Sequence, residues 1–173
     1  MQTYKTPKRY FNAEIDESIK LDLNMAWYLS GVAGSGKTYF SWAIYLKRIQ
    51  HIENLSDAEK VGKPLLMIQN YALLVGKLRN CEFLERHETE THCLETKLLI
   101  IDDIGSELRT DYSDDLLFRI LNYRYEEMLW TGFTSNMKIG ELPYEDRIKS
   151  RIIGIVQDNK FHLKSKDRRF PGM

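Results

Sequence analysis

The residues best suited to chemistry lie in one short stretch, GVAGSGKT, at positions 31–38. It fits the pattern G-x-x-x-x-G-K-[ST], in which glycines let backbone N–H groups wrap phosphate oxygens at a helix N-terminus. Lys37 would reach the β- and γ-phosphates of a nucleotide, and the Thr38 hydroxyl would ligate Mg²⁺. The predicted phosphate-binding residues are Gly31, Val32, Ala33, Gly34, Ser35, Gly36, Lys37 and Thr38. A glycine-rich structural turn is the alternative, but the apolar run before the loop and the helical pattern after it favour phosphate binding.

A pair of carboxylates, Asp102 and Asp103, follows the apolar run Leu98–Ile101. Downstream of a phosphate-binding loop, Asp102 is expected to hold Mg²⁺ through water, and Asp103 to orient or deprotonate an attacking water. Paired aspartates after a strand can also cap a helix. Many related ATPases place a glutamate at the position of Asp103. Because aspartate is one methylene shorter, we expect slow hydrolysis. Glu107 is either an assisting group or a surface residue.

A third polar group, Thr134-Ser135-Asn136, closes another strand candidate. Asn136 could sense the γ-phosphate or position water, although an asparagine at a strand end is also common turn chemistry. Arginines follow in the segment 146–151, DRIKSR, and a guanidinium can neutralise charge on a transferred phosphoryl group. Such a basic run can equally be a solvated helix face.

The elements that must position these residues alternate between strand and helix patterns. Strands are predicted at residues 26–30, 65–68, 97–101, 132–136 and 160–163, and helices at 37–51, after Asn70, at 114–128 and from 146. Leu73, Leu74 and Leu78 are expected along one side of the second helix, and the HETETH segment (87–92) is expected to be a solvated linker. This alternation predicts an α/β fold with a central parallel sheet, whose carboxyl-terminal edge gathers the three polar motifs.

The overall composition is that of a globular protein. The 173 residues are 43% hydrophobic and 29% charged, with 25 basic and 25 acidic side chains. No apolar run approaches the ~20 residues of a membrane span, so a cytoplasmic protein without a membrane partner is expected. Cys81 and Cys93 fit a reducing compartment, and their spacing to nearby histidines matches no zinc pattern. The neutral net charge argues against coating nucleic acid but leaves room for a local basic patch.

In order and spacing, GVAGSGKT, LLIIDDIGSE, FTSN and RIKSRI resemble the AAA+ ATPases of the bacterial helicase-loader group, the DnaC and DnaI type, and the related transposition ATPase IstB. PKRYFNAEI, at residues 7–15, resembles the segment leading into their ATPase domain. The resemblance implies a P-loop NTPase (AAA+) three-layer sandwich at 26–173 after an N-terminal arm at 1–25. Full-length loaders carry a further helicase-binding region, so the chain is expected to be either an excised ATPase domain or a minimal protein.

The resemblance also implies ATP and Mg²⁺ as cofactors, and self-association into a ring or spiral with nucleotide at each subunit junction. Arg151 resembles the arginine finger that enters the neighbour's site, with Arg147 as the alternative. Arg168 resembles the second sensor arginine, with Arg169 as the alternative.

The leading functional expectation is an ATP-hydrolysing loader that assembles on a replicative helicase and single-stranded DNA. The alternative is a nucleotide-gated adaptor for a transposase; a small-molecule kinase is disfavoured because no arginine-rich lid is evident. Lys77, Arg79 and Tyr71 are candidate DNA contacts, or simply parts of an ordinary helix. Tyr10 and Phe11 could pack near adenine, or belong to an arm docked on the core.

Overall fold

A computed structural model describes residues 6–53 and 66–164 of the chain. Within them, five strands form one sheet: β1 (Trp27–Gly31), β2 (Leu66–Asn70), β3 (Leu98–Asp102), β4 (Trp130–Ser135) and β5 (Lys160–Leu163). Five helices accompany them: α1 (Lys37–Glu53), α2 (Tyr71–Asn80), α3 (Phe83–Glu95), α4 (Asp111–Glu126) and α5 (Asp146–Val156). Short 3₁₀ turns occupy Lys8–Tyr10 and Ile139–Glu141.

The strands lie in the order β2-β3-β4-β1-β5, and each neighbouring pair is parallel. Strands β1 and β3 are buried along their whole length because helices cover both faces of the sheet. Helix α1 packs on one face, with Leu29 and Ile100 in its core, and α2 to α5 cover the other, with Tyr28 and Leu99 in theirs. The predicted three-layer α/β fold with a parallel central sheet is confirmed.

Residues 6–25, the described part of the N-terminal segment, pack on the α1 side of the sheet. Ile19 is buried there, and the Tyr10 ring stacks on Trp42 of α1 with ring centroids 5.7 Å apart. The Tyr39 hydroxyl, also on α1, donates a 2.7 Å hydrogen bond to the Asn12 carbonyl. The described part of this segment is therefore docked on the core. No helix within residues 6–53 and 66–164 is long and apolar enough to cross a membrane.

Several local expectations were wrong. The HETETH segment is part of helix α3, with Thr89 and Cys93 buried, and is not a linker. Leu74 and Leu78 face the core as predicted, but the Leu73 side chain is 75% exposed. Leu65 lies outside the described residues.

Capping explains where two of the helices begin. The Asn70 side chain accepts a hydrogen bond from the Leu73 N–H, which confirms a helix start after Asn70. Helix α4 begins at Asp111, three residues before the predicted start, because Thr110 and Ser113 form a reciprocal capping box.

Arg124 is a buried cation that joins three elements. Its guanidinium, on α4, is 0% exposed and donates to the carbonyls of Cys93, Leu94 and Thr96 at 2.9–3.1 Å. It also donates to the Trp130 carbonyl at 2.7 Å and, through Nε, to the Thr131 hydroxyl at 2.9 Å. Burial lowers the pKa of this guanidinium. The five bonds offset that desolvation and satisfy the last carbonyls of α3.

We expect Arg124→Met to lower the free energy of unfolding by about 3 kcal/mol or more, because several buried acceptors lose their donor. Urea denaturation measures this. Arg119→Met on the same helix is the control; its exposed bonds to Glu90 and Asp115 are expected to contribute less than about 1 kcal/mol. Equal losses in the two variants would contradict the role assigned to Arg124.

Candidate functional site

A cleft of about 460 Å³ lies at the carboxyl-terminal edge of the sheet, and we call it the strand-end cleft. Its size is in the range of small-molecule sites. Its lining residues come from the N-terminal segment, the glycine loop, the start of α1 and the ends of β3 and β4: Arg9, Tyr10, Ala33, Gly34, Gly36, Lys37, Thr38, Tyr39, Asp103 and Asn136. Three of the predicted polar motifs therefore meet in one cavity.

The glycine loop connects β1 to α1, and the Lys37 side chain at the start of α1 lies against it. Gly36 has a φ of 102°, in the region that favours glycine, immediately before the helix begins at Lys37. Lys37 Nζ donates to the carbonyls of Gly31 at 2.7 Å and Val32 at 3.0 Å, and to Asn136 Oδ1 at 2.9 Å. The ammonium is thus held against the loop at the N-terminal end of α1, where the helix dipole also favours an anion.

Asp102 is a buried carboxylate held by two hydroxyl groups. Thr38 Oγ1 donates to its Oδ2 at 3.0 Å, and Thr134 Oγ1 donates to its Oδ1 at 2.7 Å. Burial raises the pKa of Asp102, and the hydrogen bonds from Thr134 and Thr38 oppose that rise. Two short side chains from α1 and β4 therefore orient the carboxylate that ends β3.

Asp103 takes a left-handed backbone conformation, with φ at 62°. Its N–H donates to Thr134 Oγ1 at 2.8 Å, and its Oδ1 accepts from Asn136 Nδ2 at 3.2 Å. Asn136 therefore contacts Lys37 through one amide atom and Asp103 through the other. Thr134, whose hydroxyl joins Asp102 to the Asp103 backbone, did not figure among the predicted site residues; its place at a strand end beside Asn136 was the available signal.

The geometry fits a nucleotide with Mg²⁺. The Ser35 hydroxyl at the base of the glycine loop is buried and has no hydrogen-bond partner among the described residues, which leaves a donor for a phosphate oxygen. Thr38 Oγ1 and Asp102 Oδ2 are hard oxygen ligands at one position beside the loop. Thr38 and Asp102 could hold the metal, and the loop with Lys37 could hold the phosphates.

The N-terminal segment supplies part of the cleft wall. Tyr10, one of the two aromatic residues considered for adenine packing, lines the cleft, whereas Phe11 is 57% exposed and does not. Arg9 and Tyr39 also line it, and neither was predicted. An arginine beside Tyr10 and a tyrosine directly after GKT were visible in the sequence, but only the docking of the segment brings them together.

The candidate finger arginines lie on α5, facing α4, and neither lines the described cleft. Arg151 Nε donates to Asn122 Oδ1 at 2.8 Å, and its guanidinium lies 4.9 Å from the Tyr125 ring centroid. Arg147 is more exposed and lies 4.8 Å from the Phe118 ring centroid. Arg168 and Arg169 lie outside the described residues.

The candidate DNA contacts on α2 differ in exposure. Tyr71 is 0% exposed and its hydroxyl donates to the Ser113 carbonyl, so the expectation that it stacks on bases was wrong. Arg79 donates to the Thr110 hydroxyl and lies over the Tyr112 ring. Lys77 is half-exposed and pairs with Glu85 at 3.0 Å. Glu107 is buried, so it is not a surface residue.

Comparison with known proteins rests on solved structures, since no family model and no curated protein matches the chain. The structure named DnaI is 27% identical to this chain. The match covers 84% of this chain and 73% of the DnaI chain, with a TM-score of 0.64. A proposed primosome component from Streptococcus pyogenes serotype M3 is 25% identical over 88% of this chain and 75% of its own, with a TM-score of 0.63. The DnaC helicase loader is 20% identical, and the match covers 91% of this chain and 98% of the loader chain, with a TM-score of 0.62.

The AAA+ domains of the replication initiator DnaA share the fold as well, including structures with bound AMPPCP. The predicted resemblance to the DnaC and DnaI helicase-loader group is confirmed, because structures of that group are among the structural neighbours of the chain.

Removing the Asp102 charge tests how much the burial of this charge lowers the free energy of unfolding. Because burial raises the pKa of Asp102 above its unfolded value, the native state loses stability as the pH rises through the folded pKa. We expect Asp102→Asn without nucleotide to unfold at higher urea than the wild type at pH 7, with a difference that shrinks toward pH ~4. Asp158→Asn, at an exposed position, should change stability by less than about 0.5 kcal/mol at either pH. If Asp102→Asn is less stable than the wild type at pH 7, the conclusion that the buried Asp102 charge destabilises the native state is wrong.

Proposed function

From the AAA+ fold that this chain shares with the helicase loaders, we propose that it binds and hydrolyses ATP and acts in DNA replication as a loader on a replicative helicase and single-stranded DNA. The observation that carries the proposal is the hydrogen-bonded network at the strand-end cleft. Lys37 contacts Asn136, Asn136 contacts Asp103, and Thr134 joins Asp103 to Asp102. The glycine loop, both aspartates and Asn136 are in this network or beside it, whereas Arg147 and Arg151 on α5 are not.

Nucleotide binding follows from charge and position. Bound Mg²⁺·ATP would supply the transferable phosphoryl group and a cation that neutralises it. The Lys37 ammonium would move from the loop carbonyls to phosphate oxygens, and the loop N–H groups would donate to the same anion. Thr38 would ligate the metal directly and Asp102 through water. Tyr10 and Arg9 would border the nucleoside end of the cleft.

Hydrolysis needs an oriented water, and Asp103 is the group proposed to orient or deprotonate it. Its carboxylate borders the cleft and is held at Oδ1 by Asn136, so the two side chains can position a water together. An aspartate reaches one methylene less far than a glutamate, which supports slow turnover. Asn136, bonded to both Lys37 and Asp103, is the proposed sensor of the γ-phosphate.

Arg9 is the only arginine among the described residues that line the cleft. We propose that Arg151 of one subunit completes the site of the next, with Arg147 as the alternative, and that Arg168 acts on its own subunit's nucleotide. Arg151 is held against α4 by Asn122 and Tyr125 and does not line its own cleft, which supports a role in the site of another subunit. The nucleotide would then lie at a junction in a ring or spiral.

The partners are proposed from the neighbours. One neighbour is named a helicase loader, and a DnaA structure was determined with single-stranded DNA. Lys77 and Arg79 remain the DNA candidates on α2 because both are exposed, and Lys77 could release its ion pair with Glu85 for a DNA phosphate. A transposase adaptor would use the same nucleotide site, so capture of a transposase in place of a helicase would favour that alternative.

ATP turnover across protein concentration tests the nucleotide part of the proposal. Per-subunit turnover is expected to rise with concentration, because a composite site forms only on assembly, and to be abolished by Lys37→Ala. Lys47→Ala, at an exposed position of the same helix outside the cleft lining, is the control and should retain wild-type turnover. Phosphate release that persists in Lys37→Ala, or phosphate transferred to a small acceptor in place of water, would overturn the ATPase assignment.

Mixing two inactive variants tests the finger. Arg151→Ala and Asp103→Asn should each lose roughly 10³-fold or more in turnover. In an equal mixture, about a quarter of head-to-tail junctions combine an intact Asp103 with an intact Arg151, and turnover should return in proportion. The same mixture made with Arg147→Ala identifies which arginine acts. An absence of rescue with both arginine variants would rule out a finger supplied by the neighbour.

A further inference from the structure

Glu107 and Tyr144 form a buried link outside the strand-end cleft. The Tyr144 hydroxyl donates to Glu107 Oε1 at 2.7 Å, and the Gly105 N–H lies 2.8 Å from the Tyr144 hydroxyl and 2.9 Å from Glu107 Oε2. We call these three residues the Tyr144 link. Glu107 and Tyr144 are both buried, so the carboxylate is held by a hydroxyl and a backbone donor away from bulk water.

The link is closed on its other sides by packing and charge. Gly105 has a φ of 84°, and a Cβ there would lie 2.9 Å from Leu142 Cδ2, so the turn needs glycine and sits tightly on the chain leading to α5. The Arg109 guanidinium lies 5.7 Å from the Tyr144 ring centroid and pairs with Asp114 at the start of α4. The loop after β3 is thus fastened both to α4 and to the segment before α5.

The two ends of the link belong to different parts of the proposed site. Gly105 follows Asp103 by two residues, and the Ser106 hydroxyl donates to the Asp103 carbonyl at 2.7 Å, so the loop is tied to the backbone of Asp103. Tyr144 lies two residues before α5, the helix that carries Arg147 and Arg151. Glu107 itself does not line the cleft. Glu107 is therefore placed to connect the loop beside the cleft with the segment before α5.

We propose that Glu107 and Tyr144 are positioning residues that couple nucleotide binding at Asp103 to the placement of α5. This inference rests on the proposed nucleotide site. A γ-phosphate that engages Lys37 and Asn136 changes the bonds made by Asp103, and the loop through Gly105 carries that change to Tyr144. A physically connected element whose arrangement both sites bias is the requirement for such coupling.

Hydrogen exchange measured by mass spectrometry tests the link in the full chain. The protein is kept at a concentration where light scattering shows monomers, so that assembly does not itself protect α5, and is compared with and without Mg²⁺ and a non-hydrolysable ATP analogue. In the wild type, exchange should slow by about threefold or more both in the glycine loop and across α5. In Tyr144→Phe and in Glu107→Gln, protection of the glycine loop should remain and the α5 response should disappear.

Tyr112→Phe is the matched control. It removes a hydroxyl that has no hydrogen-bond partner among the described residues, at a position outside the link, and should keep the wild-type α5 response. In turnover assays, Tyr144→Phe should keep a KM for ATP within about twofold of the wild type while kcat falls. If Tyr144→Phe does not fold, the α5 response of Glu107→Gln, which retains the tyrosine and the shape of the Glu107 side chain, tests the link alone.

The possible failures are distinguishable. Analogue binding without any α5 response in the wild type would overturn the link and leave the nucleotide site standing. A full α5 response in both Tyr144→Phe and Glu107→Gln would likewise overturn it. A wild-type chain that does not bind the analogue would overturn the proposed function and the link together.

Discussion

The arrangement of the site depends on one buried carboxylate, Asp102. Strand β3 lies inside the sheet, so its last residue faces desolvation, and among the described residues the hydroxyls of Thr38 and Thr134 donate the hydrogen bonds that offset it. One hydroxyl comes from the first turn of α1 and the other from β4. The same carboxylate therefore sets the distance between the glycine loop and the neighbouring strand end. A site held this way is preorganised at the expense of stability.

The periodic features of the chain were readable in advance. Continuous apolar runs such as Leu98–Ile101 predict strands buried on both faces, and GVAGSGKT between a strand and a helix predicts the loop that Lys37 closes. Parallel strands then require Asp103 and Asn136 to meet at one sheet edge, and they do so at 3.2 Å. These features depend on local pattern and on sheet geometry, which a sequence records directly.

The burial of residues whose contacts lie far away in the sequence could not be predicted from local pattern. Helix α3 has mostly charged and polar residues and little apolar periodicity, and its packing against α4 and β2 explains why Thr89 and Cys93 are inside. Arg124 reads as a surface residue until α3 and β4 present their carbonyls to it. Glu107 gives no local sign of burial because its partner Tyr144 lies far along the chain. In each case the deciding contact joins elements that are separate in sequence.

The position of β1 in the sheet also has a consequence for how the molecule forms. This strand follows the N-terminal segment, yet its hydrogen-bonded neighbours are β4 and β5, as in the pairs Trp27 with Gly132 and Tyr28 with Lys160. During synthesis, β1 must wait for β4 before its first edge is paired and for nearly the whole described chain before its second edge is paired, and such non-local pairing is slow. The glycine loop is therefore encoded early and assembled late, so a nascent chain acquires its anion-binding geometry only when the fold is nearly complete.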